Sequence, residues 1–382
     1  MPIKCRCKTV ARPITIKKLV YLRDAIANTQ HVSVLETEAG EQFVDVKTVA
    51  GGLGGDMVLM GKHKNKHGCC TKMFILKVFQ RKVDYVTEKD TIQLLNKFSN
   101  GSIRAYVPVL YAHGLITDPS NTFVVKPSYY VRTELVTPMV SLQQALTATC
   151  QKSPVDHPVY KRLNHKQWFN VMIQLFHLQS VLKTQLFNHC DLHGDNVLIT
   201  VVPKKTQWRI NFAHIGIQQK YRFTAADLMI KIIDFDTGKF VKRSGPRKKM
   251  IELCPKWKSS RSGVSKLVGK SNDLRRACGL SYRTDTVQGI PIGPQIDARF
   301  NPVDGDWYHF RHFMRALESI GLCPNLQRKQ LRSAVRSFSA ARMTKYLVKK
   351  GHTLQMLKTE YLSKKLRDIY FVMLQAFRLQ PI

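Results

Sequence analysis

The chain has 382 residues, 44% of them apolar, and 61 Lys+Arg against 26 Asp+Glu give a net charge of +35. That apolar share is enough to bury a proper core, so disorder is not the expectation, and the charge predicts anionic partners: nucleic acid, anionic membrane or acidic protein. No stretch reaches the ~18 uninterrupted apolar residues of a membrane span, and no apolar core follows the basic amino terminus. A soluble, unsecreted protein is therefore expected. The nine cysteines are scattered without regular spacing, which predicts reduced thiols in an intracellular setting rather than a disulfide framework.

In chain order, residues 16–26 carry Leu19, Leu22 and Ile26 at helical spacing, so a helix is expected. From Gln42 to Phe79 three β-type runs, QFVDVKTVA, MVLMGK and KMFILKVF, alternate with GGLGGD and KHKNKHG and predict an antiparallel meander. A helix follows over 88–98, then strands near 107–111 and within 122–136. Beyond Ser141 helices dominate: one opens at SLQQAL, and another over 167–187 keeps Trp168, Val171, Met172, Leu175, Leu178 and Leu182 on the 3.6 period. NVLITVV and LMIKIID are short strands flanking an insertion at 203–226. Sheet first and helices later is the order of an α+β protein, divided at 1–134 and 135–382.

Two basic runs stand out. Residues 239–283 hold fourteen Lys+Arg against two acids, and residues 325–382 hold thirteen against two. The first, poor in apolar residues, is expected to be mobile or ordered by a partner, and the second to be helical. Both are candidate anion-binding surfaces, nucleic acid included. His63, His67, Cys69 and Cys70 cluster within eight residues, but their spacing is not that of a zinc finger.

Phosphoryl transfer needs a cradle and a cation for the phosphates, a metal held by oxygen ligands, and a group that takes the acceptor's proton. HCDLHGDN at 189–196 and IIDFDTG at 232–238 place two carboxylates and a carboxamide on turns beside short strands, where three oxygens can converge on one hydroxyl. Upstream lie AGGLGGDMVLMG, the lysine of FILKVF, and TEKDTIQLL. YVRTELVTPMVSLQQAL and DGDWYHFRHF complete the series.

In this order the segments resemble the protein-kinase-like superfamily, with its HRDxxxxN loop and DFG metal motif, over roughly 49–310. The DLHxxN and IDFD forms are most similar to divergent Ser/Thr protein kinases of large DNA viruses and to small-molecule kinases of the aminoglycoside and choline type. The resemblance implies a bilobal fold with a small antiparallel-sheet N-lobe containing one helix and a larger, mainly helical C-lobe. It implies Asp191 as catalytic base, Asn196 and Asp234 as ligands of Mg (or Mn), and His189 as the structural histidine of the loop. His193 stands where Ser/Thr kinases carry a catalytic-loop lysine and is counted among the catalytic residues, as is Lys77, the cation for the ATP phosphates. Glu88 would pair with Lys77; Gly52 and Gly54 would belong to the glycine-rich loop; Val58 would cover the adenine. Thr133 would gate the back pocket, Glu134 to Val136 would present backbone to the adenine, and Asp306 would anchor the catalytic loop from beneath. Two departures, Asp236 for the family's glycine and His193 for the catalytic-loop lysine, bear on the substrate class, and the absence of an APE motif bears on peptide docking. The implied function is an ATP-dependent Ser/Thr protein kinase acting on a protein substrate, which the chain's charge predicts to be acidic. The alternatives are a small-molecule kinase, or a catalytically weak kinase-like protein that binds nucleic acid or belongs to a virion. The implied location is the host cytoplasm or nucleus, or the virion.

Overall fold

The structure is a computed structural model. It describes residues 12–24, 29–37, 42–51, 57–64, 71–97, 103–116, 128–137, 139–152, 162–202, 207–225, 227–240, 305–349 and 352–378, with short pieces between 242 and 291. The architecture is mixed α and β with antiparallel sheets, and the chain divides into two units, Met1–Thr137 and Pro138–Ile382. No helix among the described residues is long and apolar enough to cross a membrane.

The first unit is one sheet with one helix. Its strands are β1 (Arg12–Pro13), β2 (Ile16–Asp24), β3 (Thr29–Thr37), β4 (Gln42–Gly51), β5 (Met57–Lys64), β6 (Thr71–Phe79), β7 (Leu110–Ile116) and β8 (Ser128–Glu134). Strands β2 to β6 form the antiparallel meander, β8 follows β6, and β7 bonds both β8 and β2, so the ladder returns on itself. Strand alternation sends Phe74, Leu76 and Val78 of β6 into a core with Leu59, Ala112, Ile116 and Tyr130. Helix α1 (Lys82–Lys97) follows β6. It begins six residues before the expected start, since its first turn carries charged residues that periodicity does not register.

Residues 16–24 form a strand, correcting the helix expected there. Leu19 and Leu22 satisfy helical spacing, but the segment also contains Val20 and Tyr21, and a short connection lets it pair along its length with β3. The expected strand at 122–125 and the glycine-rich loop at 52–56 lie outside the described residues, as does most of 239–283.

In the second unit, β9 (Val140–Ser141) runs into α2 (Leu142–Cys150), and α3 (His165–Thr184) is the central helix. Each helix starts with a capping box, Ser141 with Gln144 and Asn164 with Gln167, in which side chain and backbone satisfy each other's amides. Helix α3 is buried on nearly every side, including Gln174, Gln179 and Lys183, as befits a helix enclosed by its own domain. After β10 (Phe187–Asn188), strand β11 (Val197–Val201) pairs with β9 on one side and β14 (Leu228–Ile232) on the other in a three-stranded sheet. The insertion between them holds a hairpin, β12 (Trp208–Phe212) with β13 (Ile217–Phe223). Beyond β15 (Lys239–Phe240), β16 (Lys242–Ser244) and β17 (Lys249–Ile251) come the helices α4 (Gly305–Ser319), α5 (Arg328–Arg336), α6 (Ala340–Lys349) and α7 (Ser363–Ala376). Phe176 of α3 meets Phe212, Trp307, Phe310 and Tyr370, with ring centroids 5.6 to 6.1 Å apart. One aromatic core thus joins α3, the hairpin, α4 and α7.

The expectation of uniformly reduced thiols is also corrected. Cys150 at the end of α2 is bonded to Cys278, 128 residues away, and Cys190 is disulfide-bonded as well. Irregular spacing excludes a local framework, but not pairs that folding brings together. Cys323 is a buried free thiol whose pKa burial pushes up to about 12.

Candidate functional site

In the first unit, register puts the candidate residues on one face of the sheet. Val58 and Val131 lie directly opposite Lys77 on either side, and Thr133 is two residues beyond Val131. Because strand side chains alternate, this face is the reverse of the one carrying Leu59, Leu76 and Tyr130. Helix α1 buries Glu88, Thr91, Ile92 and Leu95, so Glu88 occupies the first place in an otherwise mostly apolar stripe. A carboxylate there needs a cation, and Lys77 Nζ is 3.6 Å from Glu88 Oε2, with the lysine also 5.0 Å from the centre of the Phe79 ring. Glu134 closes the strand. Its N–H donates to Val109 O at 2.8 Å, while its carboxylate accepts from Val109 N–H at 3.1 Å. The Glu134 amide is therefore used within the sheet, and Val136 beyond it is buried. Gly52 and Gly54 lie outside the described residues.

In the second unit, the segment from His189 to Asn196 is built around one buried carboxylate. Asp306, in the first turn of α4, accepts from the backbone N–H of His189 at 2.7 Å and of Cys190 at 3.4 Å through Oδ2, and from that of Leu192 at 3.3 Å through Oδ1. Helix α3 fixes the anchor in turn, since Gln179 Nε2 donates to Asp306 O at 3.2 Å. Three amides converging on one acidic side chain leave the turn little freedom. Cys190 takes φ +67° and Asp234 φ +66°, left-handed values that cost a non-glycine residue about 1–2 kcal/mol. Such strain persists where surrounding bonds over-determine the backbone.

The ladder brings the two halves of the site together. Val197 pairs with Ile232 in the β11–β14 register, and one step further Ile233 N–H donates to Asn196 O at 3.0 Å. Asn196 and Asp234 therefore stand at the same end of adjacent strands. Asn196 Nδ2 donates to Asp191 O at 2.9 Å, which closes the loop on itself and turns the amide so that its Oδ1 is directed elsewhere. His189 Nε2 donates to Ile233 O at 3.0 Å, tying the loop to the strand that leads into Asp234. Burial lowers the pKa of His189 to about 4, although the nearby Asp191 and Asp234 carboxylates pull it upward. The imidazole is neutral at pH 7 and serves as a spacer that both carboxylates approach.

His193 Nδ1 accepts from Asp195 N–H at 3.2 Å, which makes Nε2 the ring's donor, 3.9 Å from Asp191 Oδ1. Gly194 is required by a close approach: a Cβ there would come within 2.9 Å of the Gln143 backbone N in α2. Sequence patterns gave no sign of that contact, of the disulfide at Cys190, or of Gln179 beneath Asp306. A buried glutamine in an apolar helical run was the one available signal.

Bonds among His189, Asn196 and Ile233 thus tie the loop bearing Asp191 to the strand end that leads into Asp234. Asn196 and Asp234 supply hard oxygen donors suited to Mg or Mn. Among the described residues, no group of three or more His, Cys, Asp or Glu converges as a metal site. No protein-family model matches the chain, and no curated protein matches it.

Proposed function

We propose that this chain is an ATP-dependent phosphotransferase with the bilobal protein-kinase-like fold, the first unit serving as nucleotide-binding lobe and the second as catalytic lobe. Its leading activity is that of a Ser/Thr protein kinase. The observation that carries the reading is the Asp306 carboxylate holding three backbone amides of the loop that bears Asp191, with Asn196 bonded to Asp191 and laddered beside Asp234.

In this reading Asp191 takes the acceptor hydroxyl's proton and aligns its oxygen for attack. Its own position is set through its backbone carbonyl, which accepts from Asn196 Nδ2 and from His193 N–H. His193 faces the Asp191 carboxylate with an N–H and steadies its orientation. Asn196 and Asp234 would hold a divalent metal, which when bound supplies charge neutralisation at the phosphates. Lys77, held by Glu88, is the cation for the nucleotide's phosphates, and Val58, on the same sheet face, covers the base.

The test is incubation with γ-labelled ATP and Mg or Mn, wild type beside Asp191→Asn. Wild type should label a casein-like acidic protein, and the variant should lose transfer by roughly 10²–10⁴ while binding nucleotide within about twofold, since only the acceptor side is altered. Full activity in the variant would remove Asp191 from the base role. Labelling of aminoglycoside or choline, but not protein, would move the acceptor to a small molecule and leave the catalytic assignment standing.

A further inference from the structure

We infer that α5 and α6, together with the β16–β17 strand pair, form a nucleic-acid-binding surface that contacts the phosphate backbone. The inference does not depend on the phosphotransferase reading. Two observations carry it.

The first is how the helices divide their residues. Helix α5 buries Leu331, Ala334 and Val335, and α6 buries Met343 and Leu347, so each is seated on the second unit by an apolar stripe. On their outer sides Lys329 and Arg332 of α5, and Arg342 and Lys345 of α6, are exposed. Each pair is spaced i, i+3, which puts its two charges on one face about 5–6 Å apart at Cβ. A short turn joins the helices, and no acidic residue occurs between Glu318 and Glu360. Arg328 does not contribute, because its guanidinium is bonded to Glu318 at 2.7 and 2.8 Å.

The second observation is tertiary. Strand β17 packs against α6 and pairs with β16. The sequence across these strands, KRSGPRKKMI, belongs to the other basic run of the chain. Folding therefore brings one strand of the first basic run against a helix of the second, although some ninety residues separate them.

Duplex nucleic acid suits this arrangement better than an acidic peptide, because it presents one negative charge per about 1.7 Å of axis at fixed spacing. Short cation rows on successive helices match a rigid array, and phosphate contacts of this kind set position rather than read sequence.

The experiment is fluorescence anisotropy with the full chain and a labelled 20-base-pair DNA duplex over a series of salt concentrations, with poly-glutamate and phosphatidylserine vesicles as competitors. Replacing Arg332, Arg342 and Lys345 together by Gln keeps helix propensity nearly constant. It should reduce the slope of log K against log salt by about 2.7, at ~0.9 per phosphate, and weaken binding about a hundredfold near 0.15 M salt. The single variants Lys329→Gln and Lys345→Gln, checked for an unchanged Tm, should each reduce the slope by about 0.9, so the idea stays testable if the triple variant fails to fold. No duplex binding by wild type, or an unaltered slope and Kd in folded variants, would overturn the proposal. So would displacement of the duplex by poly-glutamate or vesicles at a lower concentration of charge than unlabelled duplex requires.

Discussion

The loop around Asp191 and the Lys77–Glu88 pair both serve phosphate chemistry in the proposed function, yet they are held in opposite ways. The loop is fixed by backbone amides on a buried carboxylate, by a ladder bond at Asn196 and by a neutral imidazole. The lysine is held by side-chain contacts, an ion pair to Glu88 at 3.6 Å and the Phe79 ring 5.0 Å away. The difference separates geometry that resists salt and ligand from a contact that can lengthen and reform. Groups that must meet a reacting atom need the first kind, while a cation that follows a flexible phosphate chain works with the second.

Acid should show the largest contrast. Burial holds His189 and His214 at about 4 and His177 at about 3, all below the ~6.5 of an unfolded histidine. A lowered folded pKa means that the unfolded chain takes up protons first, so stability is complete above ~6.5 and is lost as pH falls toward 4. Three groups at up to ~1.4 kcal/mol per pH unit amount to about 5 kcal/mol between pH 6.5 and 5, where the slope grows from half its full value at 6.5. All three lie in the second unit. Hydrogen exchange at pH 7 and pH 5 should therefore show α3 amides losing protection well before those of β5 and β6; equal loss in both would break the contrast.

Asp306→Ala comes next. It leaves three buried amides without their acceptor, at ~1–3 kcal/mol each before relaxation, so a loss of about 3–5 kcal/mol in urea unfolding is expected, together with loss of transfer. Asp306→Asn retains one acceptor oxygen and should recover part of both. A fully stable, active Asp306→Ala chain would show that the loop is positioned by other means.

Glu88→Gln should have the smallest effect. Removing the charge beside a partly exposed lysine should cost about 1–2 kcal/mol and raise KM for ATP about tenfold, with exchange rates in the second unit unchanged. A drop in kcat without any change in KM would place Lys77 on the rigid side of the comparison.

The same contrast explains what could be read in advance. The placement of Asp191, Asn196 and Asp234 on turns beside short strands, and of Asp306 at a helix start, was legible because each sits in a short motif whose neighbours fix its local backbone. Glu88 was legible because it opens the helical pattern of TEKDTIQLL, and its pairing with Lys77 is seen at 3.6 Å. The register that sets Val58 and Val131 beside Lys77 was not legible, since cross-strand partners depend on loops far from either residue. Residues 16–24 misled because the spacing of Leu19 and Leu22 also fits a strand, and only the presence of β3 decides between the two. The Cys150–Cys278 bond is a property of the folded chain, and linear spacing contains no trace of it.

The hairpin in the 203–226 insertion has a consequence for the protein's economy of parts. Phe212 packs on Tyr370 with ring centroids 5.0 Å apart, the Tyr221 and Tyr370 hydroxyls are 2.8 Å apart, and Phe169 of α3 touches both Tyr221 and Phe377. An extra loop and the terminal helix are thus each other's missing wall. Neither can be trimmed alone without uncovering aromatic surface on the other, so a shortened version of this protein would have to discard both together and rebuild that side of α3.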